Sequence, residues 1–141
     1  MRHLTKYLNV IFKKKDQHSY SLQEWIINIS ICEITALSTF YIHTMYHQNI
    51  VLVASFIGII LGLISTKERF KNIQFVGYCG VFVGMSSTLI FPTLLSVCCA
   101  GIIAGVIYNL STSLLFGYGG RLGTIAFLSV WGVYVLNIIL R

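Results

Sequence analysis

Glu33 has the strongest claim to chemistry in this sequence, because it stands in a long apolar stretch where a carboxyl group is costly to bury. An acid in such a place must be neutral, paired, hydrogen-bonded, or turned toward water or another subunit. Those options correspond to proton or ion handling, to gating, or to an interhelical contact. No lysine or arginine falls at the same depth, so protonation or a polar partner is expected instead of an ion pair.

A second polar feature shares its segment. At helical spacing Asn28, Cys32, Thr35, Thr39, His43 and Tyr46 fall within roughly 80° of arc. A face of that kind avoids lipid, either by packing against other helices or by lining a narrow aqueous path. Glu33 lies about 100° from most of this stripe, since successive residues on a helix turn by that angle, and is expected to address a different neighbour. His43 and His47 are four residues apart, a spacing at which two imidazoles can share a metal, but no third ligand stands nearby. They read as polar anchors at the outer interface, and no metal or cofactor is expected.

The remaining candidates are weaker. Cys32, Cys79, Cys98 and Cys99 lie in apolar segments without CxxC spacing, and read as small hydrophobic residues. Neighbours Cys98 and Cys99 point to different sides of a helix, which disfavours a disulfide between them. Gly117-Tyr118-Gly119-Gly120-Arg121 lacks the strand, lysine and helix of a phosphate-binding loop, and reads as a tight hairpin turn with a snorkelling arginine. With four acidic residues in all and no motif joining nucleophile, base and orienting group, the chain does not read as an enzyme.

The elements that must position these residues follow from composition. Of 141 residues 56% are hydrophobic and only 10% charged, with mean hydropathy +0.80, whereas a soluble domain carries about 25% charge. The uncharged stretches are of bilayer-crossing length, roughly 17 to 25 residues. The fold class expected is therefore an all-α integral membrane protein in the cell inner membrane. Residues 1–21 form a basic amphipathic cytoplasmic tail, with Leu4, Tyr7, Leu8, Ile11 and Phe12 on one face of a short interfacial helix. Because Lys13, Lys14 and Lys15 follow that short apolar run and no small-residue cleavage site does, the tail reads as retained.

Residues 22–141 form the transmembrane domain, with helices expected at 22–46, 50–66, 73–91, 93–116 and 121–140. The count falls to four if the third and fourth segments do not each cross. The first helix starts from the capping pattern Ser21-Leu22-Gln23-Glu24. Later breaks fall at His47-Gln48-Asn49, at the charged 67–72 segment, at Pro92, and at the Gly117 to Gly120 run.

Small residues mark expected helix contacts: Gly58 and Gly62, then Gly77, Gly80 and Gly84, then Gly101 and Gly105. Such stripes let backbones approach closely in lipid, within one protomer or between protomers, and they suggest a homo-oligomer. Gly58 to Gly62 followed by Gly77 to Gly80 resembles Gly101 to Gly105 followed by Gly117 to Gly120, which suggests a tandem two-helix repeat.

Five crossings with the N-terminus inside would place nine of the ten Lys and Arg residues on the cytoplasmic side, as the positive-inside rule requires. Lys13, Lys14, Lys15, Lys67, Arg69, Lys71 and Arg121 then make one basic face. Anionic lipid explains those charges at about 1 kcal/mol each, so nucleic acid is not called for. The partners expected are the bilayer, further copies of the chain, and a cytosolic protein with an acidic surface.

Two functions are consistent with this build. One is a small oligomeric anchor or sensor subunit that docks a cytosolic partner on its basic face. The other is an oligomeric ion channel or small ion transporter using Glu33 and the polar face of the first helix. Bacterial toxin-immunity proteins and membrane subunits of phage-defence systems have comparable builds, an analogy of size and class but not of motif. The topology is testable by cysteine labelling. A cysteine placed in the Lys67 to Lys71 loop should stay unreactive toward an impermeant maleimide in intact cells, and rapid labelling would invert the map.

Overall fold

A computed structural model describes residues 21–65, 71–114 and 120–139. Several features named above lie outside the described residues: the amphipathic tail with Lys13, Lys14 and Lys15, the loop charges Lys67 and Arg69, and residues 117–119. Among the described residues all regular structure is helical: α1 (Leu22–Tyr46), α2 (Ile50–Ile64), α3 (Lys71–Gly84), α4 (Leu94–Leu114) and α5 (Arg121–Ile139).

Local chemistry sets the ends of these helices. Ahead of α1 the Ser21 amide donates to Glu24 Oε2 at 3.0 Å, the return bond of a capping box. At the far end His47 takes a left-handed conformation (φ 49°) that stops α1. Asn49 then starts α2 by accepting the Val51 amide at 3.0 Å. His47 has thus left the helix, and the i, i+4 relation to His43 on which a shared metal depends is lost.

The third helix is shorter than its apolar pattern suggests. It ends at Gly84 and not near residue 91, because Ser87 organises a turn of its own. The Ser87 hydroxyl accepts the Leu89 amide at 3.2 Å, and the Ser87 carbonyl accepts the Ile90 and Phe91 amides at 2.9 and 3.1 Å. Pro92 follows, and Thr93 Oγ1 then accepts the Ser96 amide at 3.4 Å as α4 begins.

Leu22–Tyr46, Leu94–Ser111 and Arg121–Ile139 are long and apolar enough to cross a membrane. By contrast α2 has 15 residues and α3 has 14, about 22 and 21 Å at 1.5 Å per residue.

The pairs Asn28–Asn109, Ser65–Gln74 and Arg121–Ser111, with Gly80 beside Cys32 and Gly84 beside Ala36, set the helix directions. α1, α3 and α5 run one way, α2 and α4 the other, so α1, α3 and α5 all begin at one end of the bundle. α1 is the central element and makes its most extensive contacts with α3 and α4. The core between them holds Cys32, Ala36, Phe40, Val76, Cys79, Val83, Val97, Ala100 and Ala104, with Ile125, Ala126 and Val133 entering from α5.

Glycine makes these contacts possible. A Cβ at Gly80 would overlap Thr35 Oγ1 and the Cys32 carbonyl oxygen, and one at Gly84 would lie 2.5 Å from the Ala36 carbonyl oxygen. A Cβ at Gly101 would meet Glu33 Cα at 3.1 Å, and one at Gly105 would meet Ile29 Cα at 2.8 Å. In the α2–α3 hairpin Gly58 and Gly62 lie against Tyr78, and Gly77 lies against Leu61. All seven glycines therefore serve contacts inside the chain, which removes the reason for assigning this face to an oligomer interface.

The suggested repeat is not carried into the fold. Gly77 to Gly80 lie within helix α3, whereas Gly120 stands in a turn at φ 80°. Gly58 and Gly62 meet the helix that follows them, while Gly101 and Gly105 meet α1.

Substitutions at glycine should separate these roles. Gly80→Ala should lower stability in detergent by about 1 to 3 kcal/mol through overpacking against backbone. Gly132, whose Cβ direction is open, should tolerate alanine and gain about 0.5 to 1 kcal/mol from helix propensity. Equal melting temperatures for the two variants would contradict the packing described.

Candidate functional site

The polar stripe of α1 divides between two neighbours. Thr35 and Thr39 are buried against the glycines of α3, with their hydroxyls returned to the carbonyls of their own helix. Thr35 Oγ1 donates to the Ile31 carbonyl at 2.9 Å, and Thr39 Oγ1 to the Thr35 carbonyl at 2.8 Å. Cys32 is buried beside Cys79 of α3. Asn28 turns to α4 instead, where its Nδ2 donates to Asn109 Oδ1 at 2.8 Å, and Asn109 Nδ2 donates to the Trp25 carbonyl at 3.4 Å. His43, half-buried, stacks edge-on against Phe40 at 6.4 Å, and Tyr46 is exposed.

From Asn28 to Thr39 the stripe is thus spent on packing, with no buried side-chain nitrogen or oxygen among the described residues left without a partner.

Glu33 is next to Ile34, the midpoint of the 25-residue α1. It is half-buried at the outer seam between α1 and α4, and its Oε1 accepts a hydrogen bond from Cys98 Sγ at 2.7 Å. Among the described residues that thiol is its sole hydrogen-bond partner, and Oε2 has none. Glu33 and Asn28 therefore share one neighbour, α4, while the threonines face α3. The expected separation of Glu33 from the stripe holds for Cys32, Thr35 and Thr39 but not for Asn28.

Three residues entered this geometry unforeseen. Cys98 was read as a small hydrophobic residue and is instead the donor to Glu33. Asn109 pairs with Asn28; an amide deep in an apolar run requires a partner, and that rarity was the available clue. Tyr108 is the third, because Arg121 does not extend freely from a loop. Its Nη2 donates to the Tyr108 carbonyl at 3.2 Å, its Nε to Ser111 Oγ at 3.3 Å, and its Cζ lies 4.7 Å above the Tyr108 ring. A guanidinium over an aromatic face is attracted by the ring quadrupole, so Arg121 pins α5 to α4 as well as contributing charge to that end.

One further concavity, enclosing about 200 Å³, lies between the end of α1 and the 88–94 segment, with Phe40, Tyr41, Met45, Phe91, Pro92 and Leu94 among its walls. Its walls are mostly apolar, with Tyr41, Thr44, Thr88 and Thr93 as the polar residues among those lining it. No group of three or more His, Cys, Asp or Glu side chains converges as a metal site among the described residues.

The class of protein defined here is an all-helical bundle with three helices long and apolar enough to span a membrane, and with one acid at a central seam. No family model, no curated protein and no solved structure matches the chain.

The amide pair is open to a double-mutant cycle. Asn28→Leu and Asn109→Leu should each destabilise the fold, and the double variant should lose less than their sum by about 0.6 to 1.7 kcal/mol, the range for membrane hydrogen bonds. Strict additivity would mean that the bond contributes nothing.

Proposed function

We propose that this chain is a polytopic inner-membrane anchor or sensor subunit that acts through partners and not through a conduit of its own. The observation that carries this reading is the packing of α1, whose polar stripe from Asn28 to Thr39 is buried against Gly80, Gly84 and Asn109. With that stripe used in packing among the described residues, a role through the surface fits, and the basic residues of the sequence are the charges such a surface would use.

The helix directions support an N-inside reading with five crossings. α1, α3 and α5 begin at one end, which puts Lys71 and Arg121 at the same end as Ser21, where α1 opens. α2 and α3 are short for a hydrocarbon layer of about 30 Å, a mismatch that local thinning and the self-bonded turn at Ser87 accommodate. A cytosolic protein with an acidic surface fits the basic end.

A second reading has one observation in its favour. Glu33, half-exposed at the centre of α1, would face the space between protomers in an assembly, where an ion pathway could form.

Purified protein in liposomes distinguishes the two. An anchor should conduct no ions and should retain a soluble cytosolic protein in pull-downs, with retention lost when Lys13, Lys14 and Lys15 become Glu. Ion flux without a partner, abolished by Glu33→Gln, would replace the anchor with a channel.

A further inference from the structure

Glu33 has one weak donor and an open side. As a carboxylate it would have a single thiol hydrogen bond for two oxygens; as an acid it would carry an O–H with no acceptor among the described residues. Either form is under-satisfied where it faces outward, and an unsatisfied polar group in hydrocarbon costs several kcal/mol. Placed beside the midpoint of α1, it is out of reach of headgroups and of bulk water in the membrane reading above, on which this inference rests. The missing partner must itself be embedded in the membrane.

We infer that the α1–α4 seam is a twofold interface between copies of this chain, with Glu33 meeting Glu33 of the second copy. A carboxyl group is self-complementary, being donor and acceptor together. Two of them can exchange two hydrogen bonds, or share one proton as acid and carboxylate. In an isologous interface a residue on the axis meets its own copy, the arrangement such a group needs.

The surroundings fit a helix pair. Ser30, Glu33 and Leu37 share one face of α1, and Leu95, Cys98 and Ile102 share one face of α4, all half-buried or exposed and uncharged apart from Glu33. Each is set at i, i+3, i+7 spacing. Gly101 and Gly105 of α4 are already used within the protomer, so the acid and not a small-residue stripe supplies specificity.

The test is energy transfer between donor-labelled and acceptor-labelled full-length protein in phosphatidylcholine–phosphatidylglycerol vesicles, followed on dilution into excess lipid. The wild-type chain should associate. Glu33→Gln, whose amide is also both donor and acceptor, should stay within threefold of it. Glu33→Leu should raise the dissociation constant roughly 3- to 20-fold, the equivalent of one membrane hydrogen bond. Gly132→Ala, on α5 with an open Cβ direction and away from the seam, should preserve association. No wild-type association, equal association of the Leu variant, or a loss in Gly132→Ala matching that in Leu would each overturn the inference.

A measurement without variants guards against misfolding. Dicyclohexylcarbodiimide adds across its C=N bond to a membrane-accessible carboxylic acid, and acyl migration then gives an N-acylurea with no leaving group. Labelling of Glu33 should be faster in dilute vesicles than in concentrated ones, and equal rates would count against the interface. These variants leave the basic tail intact, so the pull-down test of the docking reading stands or falls independently.

Discussion

The close approach of α1 to α3 and α4 is the constraint from which the rest of the bundle follows. Gly80 and Gly84 bring the α3 backbone against the Cys32 and Ala36 carbonyls, while Gly101 and Gly105 bring α4 against Glu33 and Ile29. In lipid there is no hydrophobic drive to hold helices together, because the tails are as apolar as leucine, so contact area and short-range dispersion must do so. Removing four Cβ atoms from the two neighbours of one helix creates that area. It also explains why α1 lies at the centre, although it is the helix richest in polar side chains.

Those polar side chains are satisfied in two ways, with one exception. The threonines bond to carbonyls one turn earlier in their own helix, which lets them lie against glycine without an outside partner. Asn28 needs more than its own helix can supply and receives it from Asn109. Glu33 is the exception, with a thiol on one oxygen and nothing on the other. The contrast singles out Glu33: natural structures leave few such groups unmet, and those that remain commonly mark function.

At the bundle end where α1, α3 and α5 begin, a different economy operates. Arg121 lies over the Tyr108 ring and bonds to α4, so one cation of that end doubles as a clamp between α4 and α5. At the opposite end Phe91 stacks edge-on with Phe40 at 6.4 Å, and His47, Gln48, Asn49, Ser87 and Thr88 are exposed.

Helical class, the positions of α1, α2, α4 and α5, and the candidate acid were legible in the sequence, because hydropathy, capping residues and the isolation of Glu33 are properties of near neighbours along the chain. The early end of α3 was less so, since Ser87 competes with the helix through hydrogen bonds that an apolar pattern does not register. Which helix each glycine meets, that Cys98 is the donor to Glu33, that Asn28 finds Asn109, and that Arg121 folds over Tyr108 were decided only by the tertiary structure. Each joins residues from 13 to 81 positions apart, and periodicity along one helix says which face is polar but not which other helix will lie against it.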